Sequence, residues 1–138
     1  MTIFAYTDGA SRGNPGESGI GIVLKDAQDK VITSHFGYIG ETTNNIAEYT
    51  ALETCLKLVQ KMKCNNLIVH SDSELMVRQL NGQYKVKDEG LKKYFQQIQK
   101  ILTESQYQFT IKYVPREQNQ EADHLANIGI DTKKRMRM

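Results

Sequence analysis

YTDGASRGNPGESGIG, residues 6–21, is the stretch that decides how the rest of the chain is interpreted. It ends an apolar, strand-like run on one aspartate, Asp8, and continues into a glycine-rich loop. Asp-Gly is a hairpin signal, but the next apolar run starts only at Ile20, so a two-residue turn at Asp8 does not fit. A buried carboxylate without a partner is costly. Asp8 is therefore either used by a turn or met by something positively charged.

The composition is that of one globular domain without a disulfide framework. The chain has 138 residues, 39% of them hydrophobic and 25% charged, and a formal net charge of +2. This length suffices for a core, and the mild charge permits a nucleic-acid partner without requiring one. Cys55 and Cys64 lack a zinc-type spacing. Because no leader-like segment and no apolar run of ~18 residues are found, we expect a cytoplasmic monomer without a membrane partner.

Hydrophobic periodicity predicts an α/β fold. The predicted strands are Thr2–Thr7, Ile20–Lys25, Val31–Ile39, Leu67–His70 and Phe109–Val114, and the predicted helices are Asn45–Met62, Glu74–Leu80, Glu89–Leu102 and Gln118–Ile128. Three strands joined by short links form an antiparallel meander, and the last two, reached through helices, run parallel to the first. This is a five-stranded mixed sheet flanked by helices. We assign residues 1–130 to the domain and 131–138 to a basic, flexible tail.

Four acids lie near the start or end of predicted elements: Asp8, Glu48, Asp72 and Asp123. Each has a structural alternative. Glu48 fits a capping box headed by Asn45. Asp72 follows a strand within a second capping box formed by Ser71 and Glu74, and Asp123 is a helix acid among small residues.

The four acids are more informative together than singly. If the first and fourth strands are neighbours, Asp8 and Asp72 lie side by side at their carboxyl ends. Carboxylates so close repel and raise one another's pKa values, and divalent cations relieve the conflict. Oxygen-only ligands favour Mg²⁺ or Mn²⁺ over zinc. A cation at this edge of the sheet is thus the charged partner that Asp8 needs.

Four motifs resemble type 1 ribonuclease H in order and spacing: YTDGASRGNPG, TTNNIAEY, HSDSELMVRQL and VPREQNQEADHLAN. The resemblance runs from about Thr2 to Ile128 and implies a ribonuclease H-like fold. It implies an endonuclease that hydrolyses the RNA strand of RNA–DNA hybrids with two Mg²⁺ ions, for which Mn²⁺ can substitute. The implied ends are a 5′-phosphate and a 3′-hydroxyl. Double-stranded RNA, which also exposes 2′-hydroxyls, is a second candidate substrate.

The resemblance and the chemistry together imply a role for each acid. The family's metal-site acids fall on Asp8, Glu48, Asp72 and Asp123. Asp8 is expected to bridge both ions, and Asp123 to complete the ion that activates the attacking water. Glu48 and Asp72 are expected to hold the ion at the leaving 3′-oxygen.

Substrate contacts are predicted in the loops around the acids. Asn14, Asn44 and Asn45 carry both donors and acceptors, and by resemblance they line the minor groove and read 2′-hydroxyls. Asparagine also suits turns and helix caps, and for Asn45 we expect both roles. Thr43 and nearby backbone amides are expected to seat a phosphate of the DNA strand. Asn119, one turn before Asp123, is predicted to support that acid and to contact substrate.

The chain departs from the family pattern in two places. The basic helix and loop of better-known bacterial members is reduced to NGQYKVKD, residues 81–88, so hybrid binding is expected to be weaker and more salt-sensitive. Many members also carry a histidine before the last aspartate, where this chain has Arg116. Arginine cannot shuttle protons near neutral pH, so Arg116 is predicted to act in catalysis by its charge.

Three other functions compete with this interpretation. The first is a catalytically weak or inactive nucleic-acid-binding homologue, against which the presence of all four acids argues. The second is an enzyme that prefers double-stranded RNA. The third is a P-loop-like nucleotide binder built on GASRGNPG, which lacks the Gly-Lys-Ser/Thr ending that such a loop needs.

Overall fold

A computed structural model describes residues 1–136; Arg137 of the predicted tail lies outside the described residues. The strands are β1 (Thr2–Gly13), β2 (Gly16–Lys25), β3 (Val31–Thr42), β4 (Asn66–Ser71) and β5 (Gln108–Tyr113). The helices are α1 (Asn44–Gln60), α2 (Glu74–Leu80), α3 (Glu89–Glu104) and α4 (Gln120–Thr132), and a single 3-10 turn, Arg116–Gln118, precedes α4. Within residues 1–136, every helix is too short or too polar to cross a bilayer.

The five strands form one sheet in the order β3-β2-β1-β4-β5. β1 is antiparallel to β2 and parallel to β4, and β4 is parallel to β5, which confirms the predicted mixed sheet. One face packs on α1, whose fully buried Leu52 and Leu56 lie in one core cluster with Ile3 and Ile22 of the sheet. Each aliphatic side chain buried in this way contributes about 1.5–3 kcal/mol. α1 is therefore held rigidly above β1 and β2.

The β1–β2 hairpin is longer than the sequence predicts. β1 continues past its predicted end at Thr7, and its ladder with β2 runs on to the Gly13–Gly16 pair. The turn lies at Asn14-Pro15, where Gly13 has a φ of 104° that favours glycine. The residues after Asp8 are small and have low strand propensity, so pairing with β2 rather than local preference extends the strand. Asp8 consequently lies within a ladder instead of at a strand end.

α4 packs on the opposite face of the sheet at very short range. A Cβ atom at Gly19 or Gly21 of β2 would overlap the backbone carbonyl of Ala126 or Ala122, respectively, on α4. Glycine at these two positions therefore lets the helix backbone approach the sheet directly. This approach brings Asp123, on the same helix, toward β1.

The helix α2 has a different cap from the predicted one. The Ser73 hydroxyl, not that of Ser71, accepts a hydrogen bond of 3.3 Å from the Met76 amide. Ser71 instead accepts one of 3.1 Å from the Ser73 amide. The predicted capping box of Ser71 and Glu74 is therefore wrong, and Ser71 shapes the turn that carries Asp72.

The segment after α4 contacts the edge strand β3. α4 ends at Thr132, beyond the predicted domain boundary at residue 130. The Tyr38 amide donates a hydrogen bond of 2.8 Å to the Lys134 carbonyl, and the Arg135 guanidinium lies 5.3 Å from the centroid of the Tyr38 ring. These contacts attach the segment to β3, while the flexibility expected of the tail stays a prediction.

Candidate active site

Three carboxylates meet where the pairing of the central strands β1 and β4 ends. Oxygen atoms of Asp8, Glu48 and Asp72 lie within 4.8 Å of one another. Asp123 lies close enough to Asp8 to raise its pKa and lines the same cleft. The structure thus gathers all four acids singled out from the sequence, three in a tight cluster and the fourth beside Asp8.

The parallel pairing of β1 and β4 explains why Asp8 and Asp72 meet. The last residue pair in that register is Thr7 with Ser71. Asp8 and Asp72 each follow this pair by one residue, so the two side chains leave neighbouring strands at the same level. The two strands are far apart in sequence, and only the crossover through α1 brings them together.

Glu48 reaches the cluster from α1, which packs on the face of the sheet opposite to α4. The Gly9 amide donates a hydrogen bond of 2.8 Å to Glu48 Oε1, and a Cβ atom at Gly9 would overlap the α1 backbone at Ala47. The N-cap of α1 is Thr43, whose hydroxyl accepts a hydrogen bond of 3.2 Å from the Ile46 amide. The predicted capping box with Asn45 is therefore wrong, because the helix starts earlier and Glu48 lies beyond the reach of its cap.

The crowded carboxyl groups bind protons strongly when no cation is present. Asp8 is only 5% exposed; burial, then the charges of Glu48 and Asp72, raise its pKa to about 10. Burial and Asp72 raise the pKa of Glu48 to about 8, against the opposing effect of the Gly9 amide. Burial also raises the pKa of Asp72, although hydrogen bonding to Asp8 and the charge of Arg116 oppose it.

These raised pKa values are the signature of a site that needs external positive charge. The oxygen-only donor set fits Mg²⁺ or Mn²⁺, which prefer carboxylate ligands, and does not fit a zinc site built from histidine and cysteine. Asp8, Glu48 and Asp72 are the residues that can hold such an ion, with Asp123 available for a second one.

Arg116 lies in the 3-10 turn before α4 and lines the cleft. Its side chain is exposed, and its charge partly opposes the rise that burial causes in the pKa of Asp72. This position suits the predicted electrostatic role, which stays a prediction. Among the described residues no histidine lines the cleft; His70 stacks on Tyr6 instead, with ring centroids 4.5 Å apart.

The three predicted groove-reading asparagines are exposed, and two of them are fixed in orientation. Asn14 Oδ1 accepts a hydrogen bond of 3.1 Å from the Asn44 amide. Asn44 Oδ1 accepts one of 3.0 Å from the Ser11 amide. Because both carbonyl oxygens accept from backbone donors, the Nδ2 groups are the hydrogen-bond donors that these two side chains have left to offer. Asn45 lies beside Asn44 at the start of α1.

Asn119 is buried, and its predicted substrate contact stays a prediction. It is 1% exposed, and its Nδ2 donates a hydrogen bond of 2.9 Å to the Thr7 carbonyl. Asn119 immediately precedes α4, which starts at Gln120. Its burial and its hydrogen bond to Thr7 show that its side chain points into the sheet rather than toward solvent. Asn119 therefore anchors the start of α4 against β1, and its support of Asp123 comes through the backbone, where its carbonyl accepts the Asp123 amide at 3.1 Å.

Two cleft residues, Arg12 and Asn127, were missed by sequence reasoning. The signal for Asn127 was its i, i+4 spacing from Asp123 on a helix. Arg12 had no comparable signal, because its segment was predicted as a loop and the extended hairpin sets its position. Tyr113, at the end of β5, also lines the cleft and is 49% exposed.

Known proteins are similar to the chain along almost its whole length. The family model described as Reverse transcriptase-like matches residues 6–129. Ribonuclease HI of Halobacterium salinarum is 36% identical over 129 residues, which are 94% of this chain and 64% of that protein. Bifunctional protein Rv2228c of Mycobacterium tuberculosis is 36% identical over 132 residues, which are 95% of this chain and 36% of that protein. The chain thus spans less than two thirds of these curated relatives.

A solved structure is similar in both fold and sequence. The crystal structure of LC11-RNase H1 in complex with RNA/DNA hybrid matches with a TM-score of 0.90 and 43% identity, covering 94% of this chain and 97% of that chain. The sheet order and the carboxylates gathered where the pairing of β1 and β4 ends define the ribonuclease H-like class. Within that class, the chain belongs to the ribonuclease HI family. The resemblance seen in its four motifs is confirmed.

Proposed function

We propose that this chain is an endonuclease that hydrolyses the RNA strand of RNA–DNA hybrids with the help of two divalent cations. The observation that carries the proposal is the cluster of Asp8, Glu48 and Asp72, whose oxygens lie within 4.8 Å of one another where β1 and β4 run side by side. Similarity to LC11-RNase H1, whose structure was solved with RNA/DNA hybrid, supports the choice of substrate. All four acids come from one chain, so a monomer suffices.

The four carboxylates supply the negative charge that a cation needs, and burial raises the pKa values of Asp8 and Glu48, so their ionised forms are costly without a cation. Mg²⁺ bound there, or Mn²⁺ in its place, supplies Lewis-acid polarisation of the phosphate and a water of lowered pKa. Asp8 is central because it contacts both Asp72 and Asp123. Arg116 adds positive charge beside Asp72, where charge accumulates as the phosphorus–oxygen bond breaks.

The reaction is direct hydrolysis in this proposal. A water oxygen bonds to phosphorus and releases one proton to solvent, the bond from phosphorus to the 3′-oxygen breaks, and the 3′-oxygen takes one proton from solvent. The products are a 5′-phosphate and a 3′-hydroxyl. No covalent intermediate on the protein is required, so the chain's own task is to hold charge and align the strand.

The asparagines beside the acids explain the choice of a hybrid. The Nδ2 donors of Asn14 and Asn44 face outward and match the 2′-hydroxyl oxygens and base acceptors of a minor groove. Asn45 adds an exposed amide at the same helix start. The Asn44 and Ile46 amides already donate to Asn14 and Thr43. The Thr43 hydroxyl and the Asn45 amide, at the start of a helix of 17 residues, are therefore the groups placed to receive a phosphate of the DNA strand.

Cleavage of matched labelled duplexes tests this proposal. RNA–DNA hybrid, double-stranded RNA and double-stranded DNA of one sequence are incubated with Mg²⁺, with Mn²⁺ or with chelator, and the product ends are identified. We expect RNA-strand cleavage of the hybrid that stops with chelator and in Asp8→Asn. Tight hybrid binding without cleavage in either metal would favour an inactive binding homologue, and faster cleavage of double-stranded RNA would redefine the substrate.

A further inference from the structure

A chain of polar contacts runs from the end of α4 through the β1–β2 hairpin to Asp123. Arg12 Nη1 lies 2.6 Å from Asp131 Oδ1. Arg12 Nη2 donates a hydrogen bond of 3.2 Å to Asn127 Oδ1. Asn127 Nδ2 lies 3.0 Å from the Asp123 carbonyl oxygen and 3.4 Å from Asp123 Oδ1, both of which accept from it. Asn127 and Arg12 both line the cleft that contains the acids.

The hydrogen-bonding chemistry of these four side chains fixes which way the Asn127 amide points. A guanidinium can only donate hydrogen bonds, so Asn127 must turn its oxygen toward Arg12. Its Nδ2 group is then directed at Asp123, and a carboxylate can only accept. Asp131, by pairing with Arg12, holds the guanidinium on the Asn127 side. Of the two possible orientations of the Asn127 amide, only the one with Oδ1 toward Arg12 and Nδ2 toward Asp123 pairs every donor with an acceptor.

We propose that Asn127, oriented by Arg12, is a positioning residue for Asp123. By donating to one carboxylate oxygen, Asn127 holds the side chain toward Asp8 and leaves the other oxygen free for a cation. The inference deepens the proposed function, on which it rests for its catalytic meaning. The inference also explains a function of the extended β1–β2 hairpin. Arg12 can reach Asn127 only because β1 continues beyond Asp8.

The test compares variants at the two linked residues with a control at a neighbouring ion pair. Asn127→Ala removes the donor, Arg12→Ala removes the group that orients it, and Arg12→Lys keeps a donor-only side chain. Lys133→Ala is the control, because Lys133 Nζ joins α4 to Glu17 of β2 at 2.9 Å without contacting an acid of the cluster. The measurements are kcat and KM on an RNA–DNA hybrid, the melting temperature, and Mn²⁺ binding by calorimetry without substrate.

We expect Asn127→Ala to lower kcat and Mn²⁺ affinity by about 10-fold each, the scale on which partners of metal ligands act. KM for the hybrid should change little. Arg12→Ala should cause a smaller loss in the same two quantities, and Arg12→Lys should restore most of it. Lys133→Ala should leave both unchanged.

Wild-type kcat and Mn²⁺ affinity in Asn127→Ala would overturn the proposal. A raised KM at unchanged kcat would also overturn it, because that pattern indicates direct contact with the substrate. A fall in melting temperature with unchanged Mn²⁺ affinity would show a merely structural role. If the wild-type protein cleaves no hybrid, the proposed function fails, and calorimetry alone still decides whether Asn127 positions Asp123.

Discussion

Replacing Asp8 with asparagine should stabilise the metal-free protein while abolishing its cleavage of hybrids. The Asp8 carboxyl has an ordinary pKa of 3.8, which the folded site raises to about 10. At neutral pH the unfolded chain therefore carries an ionised carboxylate that must take up a proton on folding. Bringing a group of ordinary pKa near 3.8 to its neutral form at pH 7 costs about 4 kcal/mol, at 1.36 kcal/mol per pH unit. An amide at this position needs no proton.

The net gain is smaller than that cost. Asparagine alters the interaction of residue 8 with the Asp72 carboxylate, and a polar contact of this kind is worth about 1–2 kcal/mol. We therefore expect Asp8→Asn to raise the free energy of unfolding by about 2 kcal/mol in chelator at pH 7. For a chain of this length, such a gain raises the melting temperature by about 6 °C.

Thermal unfolding followed by circular dichroism, in chelator and then in excess Mg²⁺, measures the effect. Asp29→Asn is the matched control, since it makes the same chemical change at a side chain that is 83% exposed and should shift stability by less than about 0.5 kcal/mol. The reasoning would be refuted by an unchanged or lower melting temperature of Asp8→Asn in chelator. It would equally be refuted by a gain of the same size at pH 4, where the proton is available in both states.

Three further outcomes follow from the site. The contribution of Asp8 and Glu48 to the stability of the metal-free protein should be greatest below their ordinary pKa values of 3.8 and 4.5 and should fall as pH rises toward about 8 to 10, because folding raises both pKa values. Urea unfolding of wild type and Asp8→Asn in chelator measures this at several pH values, and a stability difference between them that does not change with pH would contradict it. A hybrid with a single central ribonucleotide should be cut at least about 10-fold more slowly than one with four, since Asn14 and Asn44 need several 2′-hydroxyls; equal initial rates would exclude this reading. Arg116→Ala should lower kcat about 10-fold, while Arg116→Lys should keep most of the wild-type kcat. If Arg116→His instead raises kcat and makes the rate depend on pH near ~6.5, the wild-type site lacks a proton-transferring group and the charge role is wrong.

The topology and the acids were predictable because both leave local signals in the sequence. Apolar runs separated by turn residues locate the strands, and the change to helical spacing after Thr43 implies the crossover that makes β1 and β4 neighbours. Asp8 and Asp72 could therefore be placed together without any knowledge of side-chain positions. Their partner Glu48 was also identified, although its helix cap was assigned to the wrong residue.

The features that were missed depend on contacts between distant segments. Nothing local marks Ser11 and Arg12 as strand residues, because their extended conformation comes from pairing with β2. Asn119 falls inside the predicted helix Gln118–Ile128, and its burial against Thr7 results from the docking of α4 on the sheet. Arg12 and Asn127 are more than a hundred positions apart, and their hydrogen bond exists because glycines let α4 approach the sheet.

The contact between Tyr38 and Lys134 has a consequence for self-association. β3 is an edge of the sheet, and a free row of backbone donors and acceptors on such an edge can recruit a strand from another molecule. The Lys134 carbonyl occupies the Tyr38 donor, and Met136 lies over Gly37. The segment that follows α4 therefore covers part of the β3 edge that could pair with another molecule. Removing this segment should increase aggregation more than it lowers the rate of hydrolysis.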